Sequence, residues 1–170
     1  MSSDSLTELP WYLPKQPLNQ TTKEIAIIGA GIAGCTAAVA LKRRGFKVTV
    51  IDRHPLAGQE ASGNSQGIVY PKLSPRDDVL PRVNLAAIKF CKDYYQPFWD
   101  RSLGKQCGIL VVPENAKKVA DFAQISQRFA DRPDIVQSVD NSQLCQLAGI
   151  PLSAETALYF PQLGWLPPAL

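Results

Sequence analysis

The sequence predicts an α/β fold that begins with a strand, a helix and a second strand, and three observations support this. A short apolar run, I-A-I-I at 25–28, follows Glu24, as expected of a strand buried in a parallel sheet. An alanine-rich segment from Ile32 to Arg44 has helical spacing and ends in basic residues before Gly45. A second strand, K-V-T-V-I-D, follows at 47–52. The three segments together predict a Rossmann-like βαβ unit with parallel strands.

The later elements mix helices and strands. After a polar loop at 53–67, the spacing of apolar residues predicts a helix from Asp77 or Asp78 to Tyr95 that Pro97 ends, a strand at 108–112, a helix at 114–129, a strand at 135–139, a short helix at 142–148 and a strand at 156–160. The last residues, 167–170, resemble the first turn of a helix. Periodicity alone leaves open whether the three later strands join the first sheet or form a separate one.

The domain organisation follows from composition. Residues 1–22 contain three prolines among polar residues and are expected to form a linker, although Trp11 could anchor it. We expect residues 23–75 to form the βαβ unit with its following loop, and residues 76–170 to form part of a second, α+β domain that is incomplete. We therefore expect the chain to be a truncated part of a longer protein.

Composition excludes several classes of protein. Of the 170 residues, 45% are apolar and 19% are charged, which is typical of a folded globular protein, and the net charge of +3 neither requires nor excludes a polyanionic partner. No apolar run approaches the ~18 residues of a membrane span, and the amino terminus is not a secretory signal. We expect a cytoplasmic protein without membrane contact. Four cysteines without a C-x-x-C, with His54 as the single histidine, predict reduced, buried thiols and no metal site.

The glycine motif G-A-G-I-A-G at 29–34 lies between the first strand and the first helix. In such a motif Gly29 permits a tight turn, Gly31 lets a diphosphate approach the backbone, and Gly34 lets the helix pack against the strand. Asp52, which follows Gly34 by 18 residues, can accept hydrogen bonds from ribose hydroxyls. This predicts a dinucleotide site; the alternative is a turn that only aids packing. The predicted residues are Gly29, Ala30, Gly31, Ile32, Ala33, Gly34 and Asp52, with Arg53 beside them.

The choice of dinucleotide depends on further residues. Asp52 disfavours NADP because its charge would repel a 2′-phosphate, although Arg53 could offset that charge, and Asp52 alone does not separate NAD from FAD. The segment at 58–67 stays small and polar where an NAD domain would usually enter another helix. Its backbone amides and the Ser62 hydroxyl can follow a phosphate chain toward a flavin ring. This favours FAD; the alternative is an ordinary loop.

Several runs resemble a known family. The run from Ile25 to Asp52 resembles the FAD motif of the D-amino-acid-oxidase-like flavoproteins. More narrowly, A-S-G-N-S-Q-G-I-V-Y-P-K-L-S at 61–74, C-G-I-L at 107–110 and F-P-Q-L-G-W-L at 160–166 resemble the carboxy-terminal oxidoreductase half of the bacterial bifunctional enzymes that complete 5-methylaminomethyl-2-thiouridine in tRNA. The resemblance covers residues 24–170, departs from the family's glycine at Leu163, and extends to a linker-like P-W-Y-L at 10–13.

The resemblance implies a reaction and its partners. The family's oxidoreductase half uses FAD to oxidise the C–N bond of a carboxymethylaminomethyl group on the wobble uridine of tRNA, and the imine hydrolyses to the aminomethyl product. An upstream half would methylate that amine with S-adenosyl-L-methionine. The family's flavin loop corresponds here to Ala61, Ser62, Gly63, Asn64, Gln66 and Gly67. No catalytic residue can be assigned, and we expect these 170 residues alone to bind FAD weakly and to be inactive.

Two alternatives remain open at this point: a free-standing FAD-dependent amine or amino-acid oxidase, and a dinucleotide-binding module without catalysis. We expect Trp99 and Trp165 to be core residues and His54 to be a solvated loop residue. A final set of basic residues could contact tRNA phosphates or simply solubilise the surface. These are Lys72, Arg76, Arg82, Lys89 and Lys92.

Overall fold

A computed structural model describes residues 23–77 and 79–169, so the predicted linker at 1–22 lies outside the described residues. The chain divides into two compact units between Gln59 and Glu60, and each unit is described by itself. The domain limits predicted from the sequence stay predictions. None of the helices in the described part of the chain combines the length and the hydropathy of a membrane span.

The first unit is the predicted βαβ arrangement. Its elements are β1 (Glu24–Ile28), α1 (Ile32–Arg43) and β2 (Lys47–Ile51). The two strands pair in parallel, with Glu24 opposite Lys47 and Ile28 opposite Ile51. α1 ends with two basic residues in its last turn, where cations interact favourably with the helix dipole. Gly45 then takes a positive φ of 86°, which allows the chain to turn into β2.

The second unit combines helices with a central antiparallel sheet. Its elements are a 3-10 helix at Ala61–Gly63, β3 (Gly67–Ile68), α2 (Val79–Trp99), β4 (Ile109–Val111), α3 (Ala116–Arg128), β5 (Gln137–Asp140), α4 (Asn141–Ala148), β6 (Thr156–Phe160) and β7 (Trp165–Leu166). β4, β6 and β5 form the sheet in that order, separate from the β1–β2 pair. β3 pairs antiparallel with β7, and neither strand was predicted because two residues are too few to show a period.

One of the two predictions about where a helix begins or ends changes in the structure. Pro97 does not end α2, which continues to Trp99. A proline removes one backbone hydrogen bond, but the helix end is held by Trp99, which is buried and donates its indole N–H to the carbonyl of Trp165 at 3.1 Å. This also confirms Trp99 as a core residue. Pro168 and Ala169 form a turn, and the helix predicted to begin there stays a prediction because Leu170 lies outside the described residues.

The core of the second unit lies on both faces of its sheet. Along β6, Leu158 and Phe160 face α2 and α3, while Ala157 faces α4, as the two-residue period of a strand requires. The larger cluster also includes Ile88 from α2 and five further residues of α3 and the segment after it. These are Phe122, Ile125, Phe129, Ile135 and Val136. Leu163, at the position where the resembled family has glycine, is almost completely buried in this cluster.

The cysteines differ partly from the prediction. All four are free thiols, but Cys107 is exposed and the other three are only half-buried. Cys107 lies in the loop that precedes β4, so it receives none of the packing that the strand receives. Among the described residues, no group of three or more His, Cys, Asp or Glu side chains could hold a metal ion.

Candidate functional site

The parallel register brings the glycine turn and Asp52 to one edge of the first unit. Ile28 and Ile51 are the last residues of β1 and β2, and they lie opposite each other. The N–H of Gly29 donates to the carbonyl of Ile51 at 2.7 Å, which extends the pairing by one residue. The carboxyl ends of parallel strands are the usual location of ligand sites in α/β folds.

Two glycines of the motif are required by the local geometry. Gly29 has a φ of +100°, a conformation that side chains with a Cβ rarely adopt. At Gly34, a Cβ atom would lie 1.9 Å from the backbone carbonyl oxygen of Gly29. The first turn of α1 therefore packs directly against the backbone of the glycine turn, as the motif predicts.

The carboxylate of Asp52 is bound by two backbone N–H groups. Oδ2 accepts from the N–H of Ala30 at 2.6 Å, and Oδ1 accepts from the N–H of His54 at 2.8 Å. These bonds, that of Ala30 first, lower the pKa of Asp52 below its ordinary value. The group is thus ionised at neutral pH. An ionised carboxylate has about four acceptor positions, so Asp52 both holds the turn and keeps acceptor capacity for ribose hydroxyls.

The backbone N–H and the backbone carbonyl of Ala30 both take part in hydrogen bonds. Its N–H donates to Asp52, and its carbonyl accepts from the N–H of Gly58 at 2.9 Å and from the Cys35 thiol at 3.4 Å. Ala30 is also the one buried apolar residue in the described part of the first unit. The sequence did not predict the Gly58 contact, because nothing in the composition of the loop tells which amide folds back onto the turn.

The amino terminus of α1 has the general features that favour an anion. Its N-cap is Gly31, which has extended backbone, makes no side-chain cap, and is followed by a first turn without acidic residues. Helix N-terminal N–H groups and the positive end of the helix dipole favour anions. With Asp52 as an acceptor, these are the groups that the diphosphate and a ribose of a dinucleotide require. Arg53 is exposed and His54 half-buried on the loop that follows β2.

The predicted flavin loop belongs to the second unit. The N–H of Gly63 donates to the carbonyl of Glu60 at 2.7 Å, and Asn64 ends the 3-10 helix in extended conformation. At Gly67 in β3, a Cβ atom would lie 2.6 Å from Cγ of Pro168. Gly67 is therefore required by packing in its own unit. The assignment of Ala61, Ser62, Gly63, Asn64, Gln66 and Gly67 to the same cofactor as the glycine turn stays a prediction.

The candidate RNA-contacting residues divide into three groups. Lys72 and Arg76 line a cavity of about 570 Å³, whereas Lys89 and Lys92 line a second cavity of about 210 Å³. Arg82 binds the Asp77 carboxylate, with Nη2 at 3.2 Å from Oδ2. The five residues thus do not line one common cavity.

Comparison with known sequences identifies a family and similar proteins. Residues 24–170 match the family model described as FAD dependent oxidoreductase. A relative from Pseudomonas paraeruginosa (strain DSM 24068 / PA7), the tRNA 5-methylaminomethyl-2-thiouridine biosynthesis bifunctional protein MnmC, is 35% identical over 167 residues. The protein of the same name from Pseudomonas putida (strain GB-1) is 35% identical over 162 residues. Both matches cover 95% of this chain but 24% of the relative, so the chain spans about a quarter of their length.

Solved structures show the same fold. L-proline dehydrogenase from P. horikoshii aligns with a TM-score of 0.63 at 19% identity, over 85% of this chain and 38% of that protein. L-amino acid deaminase from Proteus vulgaris aligns with a TM-score of 0.61 at 22% identity, over 93% and 36%. Iminodiacetate oxidase from Chelativorans sp. BNC1 aligns with a TM-score of 0.56 at 27% identity, over 83% and 40%.

Proposed function

The chain belongs to the family of FAD-dependent oxidoreductases, and on that premise we propose that it is part of an enzyme that oxidises a C–N bond on the wobble uridine of tRNA. FAD is the cofactor of this family. The proposed substrate group is the carboxymethylaminomethyl group of 2-thiouridine, and the proposed product is the aminomethyl group. The observation that carries the cofactor part is the Asp52 carboxylate, which is ionised and held at the glycine turn beside the start of α1, where Gly31 provides no side-chain cap.

The proposed roles of the site residues follow from their chemistry. Backbone N–H groups at the start of α1 bind the diphosphate, and Gly29 and Gly34 hold the turn close enough for them to do so. Asp52 accepts from ribose hydroxyls while its bond to Ala30 keeps the turn in place. The remaining residues are proposed to follow the cofactor toward its ring. These are Gly31, Ile32, Ala33, Arg53, Ala61, Ser62, Gly63, Asn64, Gln66 and Gly67.

The proposed reaction is a balanced two-electron oxidation. When bound, FAD supplies the acceptor for the hydride that leaves the carboxymethyl carbon. The secondary amine becomes an imine by loss of that hydride and of the proton on nitrogen, and water then adds to the imine carbon. The C–N bond breaks, giving the aminomethyl nucleoside and a two-carbon oxoacid. The described residues supply no assigned acid or base for this step, so their proposed contribution is to bind and orient the cofactor.

Three similar proteins support the proposed substrate class. The Pseudomonas proteins named for tRNA 5-methylaminomethyl-2-thiouridine biosynthesis match almost all of this chain. The Chelativorans enzyme is named for iminodiacetate, a secondary amine that carries carboxymethyl groups on nitrogen. The proposed wobble substituent is also a secondary amine with a carboxymethyl group. The oxidation proposed for this chain would therefore act on the same kind of C–N bond that iminodiacetate contains.

The complete protein is proposed to be bifunctional and cytoplasmic. The matched relatives are named bifunctional proteins, and the proposed second activity is an S-adenosyl-L-methionine-dependent methyltransferase that acts on the aminomethyl product. The 170 residues alone are proposed to bind FAD weakly. At the carboxyl ends of the strands, Ile28 is 90% exposed and Ile51 is also exposed, so the described part of the first unit leaves apolar surface beside the site without cover.

The test uses the complete protein that contains this chain. Its visible spectrum should show bound flavin, and anaerobic addition of tRNA bearing the carboxymethylaminomethyl group should bleach that absorbance and yield aminomethyl nucleoside. Bleaching by iminodiacetate or sarcosine but not by the tRNA would favour a free-standing amine oxidase. A flavin spectrum that no amine or tRNA bleaches would favour a binding module without catalysis. A colourless protein would contradict the proposal altogether.

A further inference from the structure

The larger cavity of the second unit is a groove with basic walls, here named the basic groove. Its volume is about 570 Å³, and it lies between the segment at 70–76, the start of α2, the end of β4 and the first turns of α3. Four cationic side chains line it against two carboxylates. The cations are Lys72, Arg76, Lys117 and Lys118, and the carboxylates are Glu114 and Asp121.

In the described part of the chain, one of the three lysines of the basic groove has a carboxylate partner. Lys118 lies 3.9 Å from the Asp121 carboxylate, which is a loose ion pair between partly exposed side chains. Within the described part of the chain, no carboxylate pairs with Lys72 or Lys117, and both side chains are exposed. Lys72 and Lys117 therefore line the same cavity from two different segments, without a carboxylate partner among the described residues.

The position of Lys117 and Lys118 on α3 is electrostatically unfavourable without a ligand. They occupy the first turn of a 13-residue helix that has no acidic residue in that turn. The amino terminus of a helix carries partial positive charge, so cations there are destabilising. An anion in the basic groove would interact favourably with both lysines and with the helix terminus at once.

The floor and rim of the basic groove are apolar and aromatic. Phe122, Ile125 and Phe160 form part of its floor. Tyr70 also lines the cavity and is 64% exposed, which leaves its ring accessible to a ligand. Cationic walls beside an exposed aromatic ring are the combination by which proteins bind single-stranded nucleic acid: the cations contact phosphates and the ring stacks on a base.

One wall of the basic groove is fixed by Arg128 of α3. Its guanidinium donates to the carbonyl of Ser74 at 3.4 Å and also to the carbonyl of Arg76 and to the Asp77 carboxylate. Arg82 of α2 holds the same carboxylate. The segment that carries Lys72 is thereby joined to two helices, which reduces the conformational freedom that a ligand would otherwise have to restrict.

We propose that the basic groove binds a single-stranded segment of the substrate tRNA, with phosphates between Lys72 and Lys117 and a base stacked on Tyr70. This inference rests on the proposed function, since it takes tRNA as the substrate, and it names the surface through which tRNA is held. The proposal also distinguishes among the basic residues of the chain. Lys89 and Lys92 line the smaller cavity, so they are not expected to contact the tRNA.

The test compares two charge reversals in the complete flavoprotein, with a tRNA transcript as the probe. K72E/K117E should weaken tRNA binding at least about tenfold at low salt and reduce the salt dependence of log Kd by about 0.7 for each phosphate that the variant no longer neutralises. K89E/K92E changes the net charge equally and should leave affinity within about twofold of wild type. K117E places an acid in the first turn of α3, which favours the helix, and unchanged flavin absorbance checks that both variants fold.

Tyr70 gives a second, charge-independent test. Y70A should weaken tRNA binding about tenfold with no change in salt dependence, whereas Y70F should bind as wild type. Unchanged affinity in K72E/K117E, or equal losses in K72E/K117E and K89E/K92E, would overturn the basic groove as an RNA site while leaving the proposed function intact. Loss of polyglutamate binding in K72E/K117E with unchanged tRNA binding would assign the groove to an acidic protein instead. Failure of the wild-type flavoprotein to bind any tRNA would contradict the proposed function itself.

Discussion

The two units of the chain differ in how they bury apolar side chains. In the described part of the first unit, Ala30 is the one buried apolar residue, whereas Ile28 is 90% exposed. In the second unit, Leu144, Phe160 and Leu163 are almost inaccessible to solvent, and two apolar clusters cover both faces of the sheet. The second unit thus carries a core of its own, whereas the described part of the first unit has no cluster of buried apolar side chains.

This difference bears on how far the stability of each unit depends on a ligand or on other protein segments. Continuous apolar strands such as β1 and β2 are typical of parallel sheets covered on both faces, and a two-stranded sheet is marginally stable at best. The first unit therefore depends on a ligand or on further protein for cover, whereas the second unit can be stable by its own packing. We expect FAD to raise the stability of the first unit more than that of the second, because a ligand stabilises the state that binds it.

The largest effect is expected from the core of the second unit. Phe160 is 1% exposed and packs between the sheet and both long helices. Phe160→Ala should lower the free energy of unfolding of this unit by about 3–5 kcal/mol, because it removes a large apolar side chain and leaves a cavity. Hydrogen exchange of the β4, β5 and β6 amides measures this loss, and the β1 and β2 amides of the same sample report on the first unit.

The matched control is Phe90→Ala in α2. Phe90 is 59% exposed and stacks on Tyr94 at 5.2 Å between ring centroids. Its removal should cost about 1 kcal/mol, the value of one aromatic pair. If Phe160→Ala accelerated exchange in β1 and β2 as much as in β6, the two units would unfold together, and the contrast between them would not hold.

The next effect is expected at Gly34 in the first unit. Gly34→Ala places a methyl group in the space of the Gly29 carbonyl, which is backbone and cannot rotate away. The overlap should destabilise the turn by about 1–3 kcal/mol and abolish most FAD binding, as measured by flavin content of the purified complete protein. Gly45→Ala is the control, because Gly45 has a positive φ but nothing within 4 Å of its added Cβ. Equal loss of flavin in both variants would mean that general strain, not the turn, limits binding.

A smaller effect is expected from Asp52. Asp52→Asn removes the charge and leaves one carbonyl oxygen for the two backbone donors, Ala30 and His54. FAD affinity should fall by on the order of tenfold, since charge-assisted hydrogen bonds are removed. Glu24→Gln, at the opposite end of β1 and paired with Lys47, should leave FAD affinity unchanged. Titration of the apoprotein with FAD measures both, and an unchanged affinity in Asp52→Asn would remove Asp52 from the cofactor site.

The sequence predicted the first unit best where geometry follows from chain order. β1, α1 and β2 lie within one or two residues of their predicted limits, because an apolar run, a glycine turn and a basic helix end are local signals. The parallel register then places Asp52 beside the turn without further information. The contact between Asp52 and the Ala30 N–H was not foreseen, since the expected partner of Asp52 was a ribose.

The second unit was harder to predict from the sequence, because its essential contacts join residues that are far apart in the chain. Pro97 suggested a helix end, but Trp165, more than sixty residues later, provides the partner that holds Trp99 in the last turn. The basic groove was not predicted for the same reason. Lys72 was a candidate, whereas Lys117 lines the same cavity from α3, a helix whose sequence has an ordinary amphipathic pattern. Charged residues that come together only in the folded protein leave no local pattern in the sequence.

The smallest expected effect is the pH dependence of stability at Asp77. Asp52 and Asp77 both have a lowered pKa, but the causes differ. For Asp52 the first cause is a neutral backbone donor, Ala30, whereas for Asp77 the causes are the side chains of Arg82 and then Arg128. Because the pKa of Asp77 is lower in the folded state than its ordinary 3.8, its stabilising contribution is present above that value and is lost as the pH falls through the folded pKa. Wild type should thus melt at a higher temperature than Asp77→Asn at pH 7, and the difference should vanish at low pH.

Salt distinguishes the two carboxylates at neutral pH. The ion pairs of Asp77 are exposed and should be screened at high ionic strength, so the Tm difference between wild type and Asp77→Asn should shrink between about 0.05 and about 1 M salt. The hydrogen bonds of Asp52 come from backbone N–H groups, so the difference between wild type and Asp52→Asn should change less over the same range. Asp100→Asn, which removes one charge from a residue bonded to Gln96, controls for net charge. A salt response equal at Asp52 and Asp77 would show that general charge, rather than the distinct partners of the two carboxylates, determines both.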